Sequence, residues 1–362
     1  MLSLSGNSRR RPSVEWLALA SIALLGAVTA DAQSQVIEAT VHSPGLEHNL
    51  LGDPADQPVV VYLPDAYRKE PNRRFPVLYF LHGYGDQTPR HQTGEMFQKV
   101  LDRLIAAGSV QPMLVVLPNG LNKYKGAFYA NSSTTGNWDD YIVRDVVGYV
   151  DKNFRTLAGV SGRGIAGHSM GGYGALTLAF RHPDVFSSVY AMSPCCTDLV
   201  GDLGPSNPAW ARVNQLSSPD EVPLALSNNQ FFVAAFSAMD ASLAPDPGAK
   251  IFGDAPFYLE GNQVKTNPIA FSRISEKLPA NMVRPLLANI VQLKGIFIEY
   301  GAQENFTHIP IGAQEVSREL SEAGVPHTLE VFEGDHGNHF GQRLADRMLP
   351  WMSKQLNAEI GK

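Results

Sequence analysis

Cysteine is nearly absent from this chain: there are two in 362 residues, Cys195 and Cys196, side by side. Two cysteines exclude a disulfide scaffold and a cysteine-rich zinc site, and no metal is expected. Basic runs are equally scarce. No Lys/Arg run is longer than Arg9-Arg10-Arg11, and 29 Lys and Arg against 35 Asp and Glu leave a formal charge of −6. A chain without a basic stripe is a poor partner for nucleic acid. Internal repeats and low-complexity tracts are also missing. With 44% apolar residues, the composition is that of a globular protein rather than a disordered one. The length suits either two domains or one large α/β domain.

What is present begins with a three-part N-terminus. Arg9 to Arg11 form a basic region, Trp16 to Ala30 is mostly apolar, and Ala30-Asp31-Ala32 is an A-x-A cleavage pattern. That pattern predicts a secretory signal peptide over residues 1–32, with a single domain over 33–362. The apolar stretch falls short of the roughly 20 residues a membrane span needs. The expected location is the periplasm or the medium, with no stable membrane insertion after cleavage. In such a compartment Cys195 and Cys196 form either a strained vicinal disulfide or two buried thiols, and the second reading is the simpler.

Past residue 32, short apolar runs alternate with helical patterns. Strands are expected at Val59–Leu63, Pro76–Leu81, Met113–Leu117, Gly164–Gly167, Val185–Met192, Ile296–Tyr300 and Thr328–Phe332. Their unbroken apolar character suits a sheet covered on both faces. Helices are expected at Phe97–Ala107, Asp140–Phe154, Gly171–Arg181, Asn281–Leu293, Gly312–Ala323 and Arg343–Leu356. The alternation predicts an α/β fold with a mostly parallel sheet flanked by helices. About a hundred residues separate Met192 from Ile296, too many for a loop. The stretch from about 195 to 275 is therefore expected to be a cap-like insertion before the last two strands. Within it Phe232, Ala235, Phe236 and Met239 share one helical face. That face is either the wall of a cleft or the buried side of an ordinary amphipathic helix.

Gly167-His168-Ser169-Met170-Gly171 matches G-x-S-x-G, preceded by a buried strand and followed by a glycine-rich helix start. That is the strand–turn–helix context of a nucleophile elbow, with Ser169 as nucleophile. Acyl transfer then needs two oxyanion donors. One is the Met170 amide, directly after the nucleophile. The other is expected from Leu81-His82-Gly83-Tyr84-Gly85, at Tyr84. Chain order places the base last, and His336 follows the final strand, with His339 as reserve. Glu304 is the one carboxylate in the loop after the preceding strand and is the candidate acid. Asp335 adjoins His336, but neighbouring side chains diverge. No H-E-x-x-H arrangement competes.

These segments resemble the putative-esterase family of α/β-hydrolases, which includes S-formylglutathione hydrolases, feruloyl esterases, enterochelin esterases and mycolyltransferases. The similar text is YFLHGYG at 79–85, NWDDYIVRDVVGYVD at 137–151, GIAGHSMGGYGAL at 164–176, YAMSP at 190–194 and EGDHGNHF at 333–340. The resemblance implies the α/β-hydrolase fold over about residues 58–356. It also implies the same roles for Ser169, His336, Tyr84 and Met170. Most branches carry Asp at the acid position; Glu304 is similar to the mycolyltransferases. Asn137 and Trp138 precede a helix whose start often borders the cleft in this family, so they are candidates for substrate contact or for capping the helix. The expected function is a secreted serine carboxylesterase acting through an acyl-enzyme on a small-molecule or carbohydrate ester, such as a feruloyl or acetyl ester, with no cofactor. The alternatives are an acyltransferase with a sugar or alcohol acceptor, a noncatalytic binding module, and a peptidase of the same fold. Nothing in the sequence sets an oligomeric state.

Overall fold

Valine- and isoleucine-rich runs build one eight-stranded sheet. The strands are β1 (Gln35–His42), β2 (Asp56–Leu63), β3 (Val77–Leu81), β4 (Leu114–Pro118), β5 (Arg163–His168), β6 (Ser188–Met192), β7 (Gly295–Gly301) and β8 (Thr328–Phe332). The computed structural model describes residues 34–86, 94–261 and 263–356. The expected signal peptide lies outside the described residues. Spatial order is β1-β2-β4-β3-β5-β6-β7-β8. β2 runs antiparallel to β1 and β4, and every other pair is parallel.

Both faces of the sheet are covered, which explains the unbroken apolar runs. Val77, Tyr79 and Leu81 of β3 point into one core, and Leu78 and Phe80 point into the other. Helices fill the two layers: α1 (Glu95–Ala106), α2 (138–153), α3 (Met170–Arg181), α4 (Phe231–Leu243), α5 (His308–Glu322) and α6 (340–355). α2 and α6 each contain a π-helical stretch, Tyr141–Val146 and Leu344–Met348. No described helix is long and apolar enough to cross a membrane.

The sequence predicts one helix over Asn281–Leu293. Two short ones stand there instead, Pro279–Met282 and Leu287–Ile290. Pro285 falls between them; it has no N–H to donate, and its ring disfavours helical geometry at Arg284. The antiparallel edge strand β1 was not read from the sequence. Its one-sided, partly exposed pattern leaves no continuous apolar run.

Register places the site. Leu81 pairs with Gly167, His168 with Met192, Met192 with Glu299, and Gly301 with Phe332. The carboxyl ends of β3, β5, β6, β7 and β8 therefore finish level, and the loops that follow them converge on one edge. Open α/β sheets place their ligand crevices at that edge. Between β6 and β7 the chain leaves the sheet. It forms Ala209–Val213, Glu221–Ser227, α4, a hairpin of Phe257–Glu260 with Gln263–Thr266, and Pro268–Ser275.

Candidate active site

Ser169 joins β5 to α3 at φ 57°, ψ −118°. A non-glycine residue in that region costs on the order of 1–3 kcal/mol, and such strain clusters at functional sites. Two glycines make the turn possible. A Cβ on Gly167 would lie 2.2 Å from the Gly171 carbonyl oxygen, and one on Gly171 would lie 2.0 Å from that of Leu81. The strand, the turn and the helix thus approach more closely than any side chain permits. Ser169 N–H donates to Met192 O at 3.0 Å, and Ser169 O accepts from Tyr173 N at 3.0 Å and Cys195 N at 3.1 Å. The turn is held from three sides.

The two expected oxyanion donors are the amides of Met170 and Tyr84. Met170 opens α3, so its N–H has no acceptor within the helix. In the loop after β3, the Gly83 amide donates to Asp86 Oδ2 at 2.8 Å and the Gly85 amide to Lys125 O at 2.9 Å. The Tyr84 amide between them donates to no described residue. The Tyr84 ring and Met170 Sδ both press on Gly126, where a Cβ would meet them at 2.5 and 2.7 Å. Gly83 in turn lies against Ser169 Cβ.

The loops after β7 and β8 carry the other two residues, and they are knitted together. Ala302 N–H donates to Phe332 O at 2.8 Å and Gln303 N–H to Gly334 O at 2.9 Å. His336 Nδ1 then meets Glu304 Oε2 at 3.0 Å, and the Glu304 side chain is only 1% exposed. A carboxylate only accepts, so Nδ1 carries the proton and Nε2 is left as a base. Ser169 Oγ makes no hydrogen bond to His336. His168 steadies the loop. Its Nε2–H donates to His336 O at 2.8 Å, and the two rings lie 4.6 Å apart. Burial, reinforced by His336, lowers the His168 pKa to about 4, so it works as a neutral donor. Asp335 does a different job. Its Oδ1 accepts from Gly337 N at 3.0 Å and Asn338 N at 2.8 Å, and those amides hold its carboxyl below the usual range. His339 stands at the start of α6.

Ser169 opens into an apolar pocket. Phe232, Ala235, Phe236 and Met239 of α4 all line it, while Phe236 and Met239 are also buried in the core, so the face they share is core and pocket lining at once. Tyr84, Phe128, Phe231 and Phe306 complete the aromatic lining. Phe231 packs edge-on to Tyr84 at 5.7 Å and against Phe306 at 5.4 Å, which makes the lining one connected set of rings. Phe306, read from the sequence as nothing in particular, also packs on His336 at 5.1 Å. Asn137 and Trp138 do not line the pocket. Trp138 is fully buried, donates Nε1–H to Thr135 O at 2.7 Å and stacks edge-on to Tyr141. Asn137 packs on Gly45 and makes no side-chain cap. The start of α2 is core here because its tryptophan turns inward. Among the described residues, no three His, Cys, Asp or Glu side chains are arranged to hold a metal ion.

The profile of the family described as Putative esterase matches residues 54–242, just over half of the chain. The chain belongs to that family. This member of the Putative esterase family is 26% identical to an esterase of Mycobacterium tuberculosis over 291 residues, 77% of this chain and 52% of that one. It is 32% identical over 129 residues to an endo-1,4-beta-xylanase/feruloyl esterase of Xylanibacter ruminicola, covering 35% of this chain and 18% of that protein. The chain spans about half the length of the first of these curated relatives, and less of the second. Among solved structures, a ferulic acid esterase superposes with a TM-score of 0.63 at 22% identity, covering 90% of this chain and 99% of that one. The fold is therefore the α/β-hydrolase fold of these esterases.

Proposed function

We propose that this chain is a serine carboxylesterase that cleaves esters through an acyl-enzyme, with Ser169 as nucleophile, His336 as base and Glu304 as the acid that orients it. The observation that carries this reading is the His336–Glu304 pair at 3.0 Å, on loops that converge on the strained Ser169 turn. In the proposed cycle His336 Nε2 takes the Ser169 proton as Oγ attacks the ester carbonyl. The Met170 and Tyr84 amides receive the oxyanion. His336 then protonates the departing alcohol, and water repeats the sequence on the acyl-enzyme. Neither a metal nor an organic cofactor takes part in these steps.

The connected aromatic lining supports an aryl or long aliphatic acyl group, since ring-on-ring contacts add about 0.5–1.5 kcal/mol each beyond area burial. A feruloyl-type ester of a carbohydrate is the proposed natural substrate. In this reading the segment over 195–275 serves as the cap that supplies α4 as a pocket wall. Arg9–Arg11 and the A-x-A pattern support export, with the mature chain starting at Gln33. The test is a panel of p-nitrophenyl acyl esters and methyl ferulate, with and without a sugar acceptor. Free acid as the main product, with methyl ferulate among the better substrates, is expected. A transester product dominating when the sugar is present would make the chain an acyltransferase.

A further inference from the structure

A second ordered array borders the same pocket, and the proposed ester chemistry does not use it. Cys195 and Cys196 are both free and buried, and both line the pocket with His308. The Cys195 and Cys196 sulfurs are in close contact. His308 opens α5. Its Nδ1 is bound to Asp202 Oδ1, and the same carboxylate accepts the backbone amides of His308 at 3.0 Å and Thr307 at 3.2 Å. A helix cap needs only those amides. The added imidazole bond fixes the ring so that Nε2 is the free nitrogen. That atom is buried, in a residue only 4% exposed, and it has no hydrogen-bond partner of its own.

Cys195 lines the same pocket beside that imidazole. Burial alone would lower His308, but Asp202 and Cys195 outweigh it and raise its pKa to about 9. Burial alone would raise Cys195, but the Cys196 thiol and His308 outweigh it and lower its pKa to about 6. The other titratable groups facing Cys195 are His336 across the pocket and Tyr173 from α3. A thiol beside a cationic imidazole becomes reactive toward reagents small enough to reach it, and Cys195, though buried, lines the pocket.

We propose that Cys195 is a second nucleophile of the pocket, stabilised as a thiolate by the neighbouring His308–Asp202 pair, and that it is a modification site for small aliphatic disulfides. In the exchange, Cys195 Sγ forms a bond to one sulfur of the disulfide as the disulfide's own S–S bond breaks. The released thiolate takes a proton from water, and the incoming disulfide is the only oxidant needed. Cys196 adjoins the new bond. Its thiol displaces the second half of the reagent as a free thiol and leaves a Cys195–Cys196 disulfide. Either product sits among the rings that face Ser169, so ester hydrolysis stops until a reductant restores the thiols.

The test treats the purified native chain with 2-hydroxyethyl disulfide and follows intact mass, peptide maps and hydrolysis of p-nitrophenyl acetate. Modification confined to Cys195, alone or joined to Cys196, is expected. Hydrolysis should fall in step with it and return with dithiothreitol. His308→Gln should slow the modification on the order of 10-fold at pH 7, because a smaller thiolate fraction is only partly offset by greater intrinsic nucleophilicity. The wild-type rate should level off above about pH 7, while the His308→Gln rate keeps climbing toward pH 9. A merely structural change would shift the rate without moving that profile. The array stands beside the proposed esterase site but its reactivity does not depend on it: Ser169→Ala should take up the disulfide as fast as wild type, whatever its effect on hydrolysis. An unreactive Cys195 in the native chain, the same rate and profile in His308→Gln, or full modification without loss of hydrolysis would each overturn the proposal.

Discussion

Two imidazoles pack against Phe306, His336 at 5.1 Å and His308 at 5.9 Å, and each is bound through Nδ1 to a carboxylate. They differ in what surrounds the candidate nucleophile. Ser169 stands at the head of α3, and the Met170 and Tyr84 amides, which have no described acceptor, are its proposed oxyanion donors. Cys195 has no such pair, because its own amide is already committed to Ser169 O. Acyl transfer builds charge on a carbonyl oxygen and needs donors placed for it. Thiol–disulfide exchange leaves charge on sulfur and needs only a stabilised thiolate. The same imidazole–carboxylate device thus suits ester chemistry in one setting and exchange chemistry in the other.

The largest way to break this comparison is at the serine. Ser169→Ala should keep the fold and lower hydrolysis by about 10³-fold or more. If Cys195 could stand in for it, most turnover would survive in steady-state assays with p-nitrophenyl esters. Next comes the acid. Glu304→Gln should lower kcat by about 10² to 10⁴ with little change in KM, as wrong-tautomer losses in such triads reach that size. Glu304→Asp should fall between, since the charge stays but the reach shortens. Near-normal kcat in Glu304→Gln would remove Glu304 from the site.

The three candidate triad residues stand out in the sequence for a physical reason. The elbow needs glycines at fixed offsets, and the base and acid must follow particular strands, so short-range text singles out Ser169, Glu304 and His336 as candidates, and the fold pairs the last two. Long-range contacts left no such trace. Asp202 and His308 lie 106 positions apart in the chain, and nothing local announces that they meet. His168 was hidden in plain view, as the neighbour of the nucleophile, because only the fold shows its ring reaching the His336 carbonyl. Trp138 is less legible for the opposite reason. The start of α2 was recognisable, but a position next to a helix start does not say which way the side chain turns. The shared face of Phe232, Ala235, Phe236 and Met239 allows both a core and a cleft, and in the fold it serves as both. The break at Pro285 was readable and was missed.

Smaller effects sharpen the contrast between wall and core. Phe232→Ala should raise KM for methyl ferulate about 10-fold, roughly what losing one buried aromatic face is worth, while p-nitrophenyl acetate responds less. Equal effects on both esters would mean that α4 does not hold the acyl group. Trp138→Phe should lower unfolding stability by about 2 kcal/mol, through lost volume and an unpaired Thr135 carbonyl, and leave KM unchanged. Denaturant melts and initial rates on one preparation check both halves, and a raised KM would return Trp138 to the cleft.

The division of labour between the two nucleophiles can be tested in a single labelling. An aryl fluorophosphonate, an electrophile that mimics the tetrahedral intermediate, is mixed with the native chain, and the adduct is mapped by mass spectrometry while hydrolysis is followed. One adduct on Ser169, formed in step with loss of hydrolysis and absent in Glu304→Gln over the same interval, is the predicted result. An adduct on Cys195, or a labelled Ser169 in a chain that still turns over ester, would contradict the account.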